Sequence, residues 1–215
     1  MSWSSGKDSA FALHRLRAAG EFDIRALLVT INADAERVAM HAVRLTLLQA
    51  QADRLGIPLH LVEIPMGCPN DIYEARMAEA VRVARGDHVE RMAFGDLFLG
   101  DVRAYREANL AGTGITPVFP LWEQPTDRLA LEMLDAGVRA VITCVDPRAL
   151  PSEFAGREFD EELLAELPDG VDPCGERGEF HTFVWDSPDF DTPIAVRCGE
   201  TVERDGFVFC DVLPA

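Results

Sequence analysis

Two clusters of small, glycine and charged residues have the composition to do chemistry. Ser4-Ser5-Gly6-Lys7-Asp8-Ser9 lies just ahead of a helical pattern. Small side chains leave backbone N–H groups open to an anion, and a helix amino terminus adds its dipole, so this segment suits a phosphate. A Walker A loop needs a glycine where Met1 stands, and no GxGxxG occurs, which removes two common nucleotide loops. Ser or Asp in these positions would serve equally as an ordinary helix cap. The second cluster, Gly175-Glu176-Arg177-Gly178-Glu179-Phe180-His181-Thr182, opens a strand pattern. A period of two puts Glu179, His181, Phe183 and Trp185 on one face, so a carboxylate and an imidazole are expected to meet one ligand. A surface turn leading into an edge strand, with solvated polar side chains, fits the same residues.

Lesser candidates follow from position. His41 opens the second helix pattern. Gly95 and Asp96 come directly after a strand pattern, with Asp101, Tyr105, Arg106 and Glu107 beyond them. Cys174 adjoins the second cluster as a conceivable nucleophile, although nothing basic flanks it. Pro120-Leu121-Trp122 reads as packing. The five cysteines are odd in number and show no CxxC spacing, so neither a disulfide framework nor a tetrathiolate site is expected. No metal ligands can be named.

The elements that must position these residues alternate. Ile24 to Ile31, Leu59 to Ile64, Val89 to Phe94, Ile115 to Phe119 and Val138 to Val145 read as strands. Helical stripes run through Phe11, Leu13 and Leu16 with Gly20 as a stop, and through Leu45, Leu48, Ala52 and Leu55 with Gly56 as a stop. Further stripes are Tyr73, Met77, Ala80, Val81 and Ala84 behind Asn70 as a cap, and Leu129, Met133 and Ala136 behind Thr126 in the same role. Such alternation implies an α/β fold with a doubly wound parallel sheet, right-handed crossovers and ligands at the strand carboxyl ends. After Pro147 the texture changes to a short acidic helix around Phe159 to Leu167, a Gly- and Pro-punctuated segment, and β-like runs with Asp205-Gly206 as a hairpin turn. We therefore expect a nucleotide-binding domain over residues 1–147 and a small α+β substrate-binding subdomain over 148–215.

The chain has 215 residues and a formal charge of −17, from 20 Lys and Arg against 37 Asp and Glu. Such a surface repels phosphate backbones and anionic lipid, so nucleic acid and membrane partners are not expected. Without an apolar run of membrane-spanning length or a cleavable leader, the sequence reads as cytoplasmic. A homo-oligomer remains open.

Ser4 to Ser9 resembles the SGGKDS pyrophosphate loop of N-type ATP pyrophosphatases, the adenine nucleotide alpha hydrolase-like superfamily, with Ser5 in place of the first glycine. Together with the second cluster, similar to GEGGEYET, the chain resembles the diphthine–ammonia ligase family, and its bacterial branch in particular. Gly175, Glu176, Gly178, Glu179 and Thr182 match; Phe180 replaces Tyr and His181 replaces Glu. The resemblance implies a Rossmann-like nucleotide domain in which Ser4, Ser5, Gly6, Lys7, Asp8 and Ser9 hold ATP phosphates. It also implies Mg²⁺ among the phosphate oxygens, and His41 and Gly95 near the nucleotide. One departure is that only Met1 to Trp3 precede the loop, where the family has a full strand.

The expected activity is therefore a carbon–nitrogen ligase of the ATP pyrophosphatase type, which adenylates a carboxylate, forms AMP and pyrophosphate, and transfers ammonia or an amine. Lys7 and Asp8 would act at the phosphates. Asp96, Gly175, Glu176, Gly178, Glu179 and His181 would bind the acceptor, with His181 taking the ammonium proton by its intrinsic pKa. His181 in place of a carboxylate disfavours a trimethylammonium group, so a small carboxylate other than diphthine is expected as acceptor. The alternative is an ATP- or AMP-binding sensor, or a slow adenine nucleotide hydrolase. A tRNA-modifying pyrophosphatase is disfavoured by the charge.

Overall fold

The computed structural model describes residues 1–32, 43–65 and 67–215, with the backbone alone of 37–38. Short β-rich runs form the parallel strands. β1 (Leu27–Asn32) pairs in parallel with β3 (Leu59–Ile64) along its full length and antiparallel with β2 (Arg37–Val38). β4 (Arg91–Ala93) pairs in parallel with β5 (Thr116–Val118). The stub Met1 to Trp3 touches both pieces: Trp3 N–H donates to the Leu28 carbonyl at 2.8 Å, and Ser2 N–H donates to the Ala93 carbonyl at 2.8 Å. Backbone groups on both sides of Met1 to Trp3 thus find partners.

The helices follow their apolar stripes. α1 (Lys7–Ala19) buries Ala10, Phe11, Ala12, Leu13 and Leu16, and α2 (Leu45–Leu55) buries Leu47, Leu48, Gln51, Ala52 and Leu55. Gly20 and Gly56 close them in the left-handed conformation at φ 67° and 65°, as glycine at such stops does. α3 (Asn70–Gly86), α4 (Gly100–Leu110) and α5 (Thr126–Asp135) complete the amino-terminal part. Asn70 and Thr126 are the first helical residues and not caps. Pro69 and Pro125 occupy the cap positions, and the Asn70 amide donates to Glu74 Oε1.

The carboxyl-terminal sheet is antiparallel, in the order β7 (Phe180–Asp186), β6 (Arg139–Val145), β9 (Phe207–Pro214), β8 (Val196–Arg204). This corrects the expectation for Val138 to Val145, read above as a further parallel strand. A continuous apolar run suits any central strand, and β6 is central with six of its seven residues buried, so its composition does not report the direction of its neighbours. The Asp205-Gly206 turn joins β8 to β9 as expected, with φ of 54° and 80° and Arg204 facing Phe207. α6 (Glu161–Glu166) is capped by Asp160, whose carboxylate accepts from Leu163 N–H at 2.8 Å. One core runs through both parts, from Trp3, Phe11 and Leu48 to Phe159, Phe183 and Val212. Among the described residues no helix is long and apolar enough to cross a membrane.

Candidate functional site

The amino-terminal loop is shaped by its own hydroxyls and by β7. Gly6 N–H donates to Ser4 Oγ at 3.3 Å, Ser9 Oγ donates to the Gly6 carbonyl at 2.9 Å, and Lys7 N–H donates to Thr182 Oγ1 at 3.1 Å. Gly6, the α1 cap, has no side chain to close the helix, and the first turn from Gly6 to Ser9 borders a cleft. A Cβ on Gly6 would lie 3.2 Å from the Thr182 carbonyl, and one on Gly95 would lie 3.0 Å from Ser9 N. Both glycines thus stand where another stretch of backbone approaches closely. Ser5, where the pyrophosphate loop it resembles has glycine, sits at φ 70° with a buried Oγ that finds no partner. Its carbonyl accepts from Val184 N–H and from Gln51 Nε2, both at 3.0 Å. Gln51, wholly buried, also donates to the Val184 carbonyl at 2.6 Å and accepts from the Trp3 indole at 2.9 Å.

Lys7 is only 2% exposed. Its ammonium donates to both Asp8 carboxylate oxygens at 3.0 Å and to the Cys174 carbonyl, and it sits 5.5 Å from the Phe159 ring centre and 5.3 Å from that of Phe180. Burial alone would lower its pKa, but Asp8 reverses the effect and holds it above the ordinary lysine range, so it remains charged. The expected free phosphate-neutralising lysine is instead tied into the junction of the two loops.

The carboxyl-terminal loop holds itself. Glu179, 6% exposed, accepts Asp172 N–H on one oxygen at 3.0 Å and Arg177 N–H on the other at 2.9 Å. Gly175, at φ 67°, has Phe180 so close that a Cβ would lie 2.8 Å from its carbonyl oxygen. Glu179 therefore faces its own loop. The expectation that it shares a ligand with His181 is not met, because β7 begins at Phe180 and the period of two does not extend back to Glu179.

Both loops open onto a cleft of about 480 Å³ at the carboxyl ends of the strands, where α/β sheets hold ligands. Ser4, Gly6, Lys7, Asp8, Ser9, Gly95, Asp96, Arg106, Cys174, Gly175, Glu176, Gly178 and His181 line it, whereas Ser5, Glu179, Asp101, Tyr105 and Glu107 do not. His41 lies outside the described residues. A larger cavity, about 1030 Å³, opens at the strand starts near Ala26, Pro58 and Val89, away from both loops.

Glu176 accepts Leu97 N–H at 2.8 Å. Burial pushes its carboxyl up to about 7; the Leu97 bond opposes this, and Asp8 and Asp96 add to it. Burial also raises Asp96, against the pull of Arg106 at 3.5 Å. His181 goes the other way: burial, then Lys7, lower its imidazole to about 4, so at neutral pH it is uncharged and a weak base. Burial drives the Cys174 thiol well above its ordinary range despite Lys7, which argues against a nucleophile. Sequence reasoning missed Asp146 and Arg148, paired at 2.6 Å, and Phe207, all lining the cleft. Asp146 directly follows β6, so its position at a strand's carboxyl end was the available signal. Asp8, Asp96 and Glu176 are hard oxygen donors, but among the described residues no three His, Cys, Asp or Glu form a metal cage.

Residues 1–110 match the diphthamide synthase N-terminal domain and residues 125–212 match the diphthamide synthase C-terminal domain. The diphthine–ammonia ligase of Bos taurus is 28% identical over 236 residues, covering 97% of this chain and 86% of that protein. The Homo sapiens diphthine–ammonia ligase is 27% identical with the same coverage. That of Danio rerio is 34% identical over 131 residues, 58% of this chain and 51% of that protein. With both domains matched in order along its length, the chain belongs to the diphthamide synthase family.

Proposed function

We propose that the chain is an ATP-dependent carbon–nitrogen ligase that adenylates a carboxylate, releases pyrophosphate and passes the acyl group to ammonia or an amine. The observation that carries this reading is the meeting of the Ser4 to Ser9 loop and the Cys174 to Gly178 segment in one cleft, where Glu176 titrates at about 7. The diphthine–ammonia ligases it resembles support the reaction class.

The α1 amino terminus and the hydroxyls of Ser4 and Ser9 hold the β- and γ-phosphates, and Lys7 adds positive charge from behind the loop while keeping it in shape. The proton of an attacking ammonium passes to Glu176, since a base with a pKa near the working pH transfers protons best, and His181 at about 4 does not qualify. Asp8 and Asp96 fit Mg²⁺, which takes one or two protein carboxylates with phosphate oxygens and neutralises their charge when bound. The acceptor is a small carboxylate. Arg106, Arg148 and Arg177 line the cleft as cationic partners, and neutral His181 replaces the carboxylate that a trimethylammonium group would need. The stub Met1 to Trp3, bonded to β1 and β4, would join the parallel strands into one doubly wound sheet.

The test is chromatography of nucleotides after incubation with ATP, Mg²⁺, ammonium and a panel of small carboxylates. AMP and pyrophosphate, formed only when a carboxylate and ammonium are both present, are expected. ADP and orthophosphate would exclude the pyrophosphatase type. ATP bound without any product would favour the nucleotide sensor.

A further inference from the structure

Away from the cleft, the β8–β9 hairpin brings two thiols together. Cys198 faces Val212 and Thr201 faces Cys210, so β8 spends one residue more than β9 across this interval, a bulge centred on Gly199 and Glu200. Bulges re-aim the side chains beside them. Here the two sulfurs converge on Gly156, where a Cβ would lie 3.1 Å from Cys210 Sγ and 3.5 Å from Cys198 Sγ. Cys198 Sγ donates to the Gly156 carbonyl at 3.3 Å. Gly156 stands at φ 87°, so both the backbone and the sulfurs call for glycine there. Cys198 is exposed and Cys210 buried, and the Cys210 thiol is pushed up to about 12 by burial first and by a hydrogen bond with the Cys198 thiol second.

We propose that Cys198 and Cys210 form an oxidation site that hydroperoxides close to a disulfide. The Cys198 sulfur, reached by solvent, takes one peroxide oxygen as the O–O bond breaks. With hydrogen peroxide one water leaves, and Cys198 becomes a sulfenic acid. The Cys210 sulfur then attacks the Cys198 sulfur, its proton departs with the sulfenic hydroxyl as a second water, and the S–S bond forms. Two thiols lose two electrons and one peroxide gains them. Because attack requires the thiolate and the Cys210 thiol is reluctant to ionise, closure accelerates as pH rises.

The hairpin lends itself to a direct test, because Arg197 and Arg204 place the two cysteines in different tryptic peptides. The full chain is treated with hydrogen peroxide under native conditions, alkylated with iodoacetamide, digested without reductant and read by mass spectrometry. The expected product is the 198–204 peptide joined to the peptide beginning at Asp205, released by dithiothreitol, retained in Cys144→Ser and absent from Cys198→Ser. The exposure of Cys198 makes that serine variant compatible with folding. Overoxidised Cys198 beside a freely alkylated Cys210, or Cys198 joined to a second chain as a dimer on a non-reducing gel, would overturn the proposal.

Discussion

The two loops that meet at the cleft are built differently. The amino-terminal loop adds to the bonds of its own hydroxyls others from Thr182 and Val184 of β7 and from Gln51 of α2, whereas in the carboxyl-terminal loop the carboxylates of Glu179 and Asp172 hold backbone amides of the same loop. Two glutamates three positions apart on that second loop therefore have different tasks. Glu179 spends both oxygens on backbone amides. Glu176 spends one and, crowded by burial and by Asp8 and Asp96, keeps a proton within reach of neutral pH. Identity in the motif does not assign the role; what each oxygen already touches does.

The sharpest break of this comparison is Glu176→Gln, which keeps shape but cannot take a proton. It should lower turnover about 10³-fold, within the range for removing a general base, without destabilising the fold. A steady-state assay beside a denaturant titration reads both, and a stability loss equal to that of a Glu179 variant would erase the distinction. Glu179→Ala should behave inversely. Stranding two amides that bonded a charged group costs about 3 kcal/mol, a fall in Tm of roughly 10 °C for a chain of this size, visible by calorimetry in the absence of any substrate.

The next effect is a pH dependence with a definite sign. Glu176 has a pKa of about 7 in the folded protein against 4.5 for an ordinary glutamate, so between those values the folded state binds more protons than the unfolded one. Stability should then fall as pH rises from 4.5 through 7, with no penalty below and the full penalty above. Partial exposure limits the loss to about 2 kcal/mol. Urea titrations across this range should show the fall, and Glu176→Gln should abolish that contribution. Smallest is Ser5→Gly: relief of a left-handed serine, less the added freedom of the unfolded chain, should stabilise by about 0.5–1 kcal/mol, and a Tm unchanged or lowered would mean that the buried hydroxyl is satisfied in solution.

Much of the frame was legible before any coordinates. β3 spans Leu59 to Ile64 as read, and the stops at Gly20 and Gly56 fall where expected, because a repeating apolar pattern and a glycine that closes a helix are local signals. The partner of β6 was not legible. An apolar run states that a strand is buried, while its direction is decided by β7 and β9, which lie much later in the chain. At the site, the residues that converge were readable as a set, but their division of labour was not. That Lys7 would turn to Asp8 and the Cys174 carbonyl, or Glu179 to two amides of its own loop, depends on distances that no spacing rule encodes. His181 follows the same pattern: an imidazole's intrinsic pKa describes it in water, whereas here burial, then Lys7, lower it to about 4.

The dependence of the first loop on Thr182 and Val184 also sets a timetable for synthesis. A ribosome delivers Ser4 to Ser9 long before β7, since the hydroxyl that receives the Lys7 amide belongs to a residue 175 positions later, and the amide that bonds the Ser5 carbonyl comes two residues after that. Contacts so distant in sequence form late. The nascent chain therefore carries this segment without its β7 bonds until β7 has emerged, held only by the hydroxyls of Ser4 and Ser9.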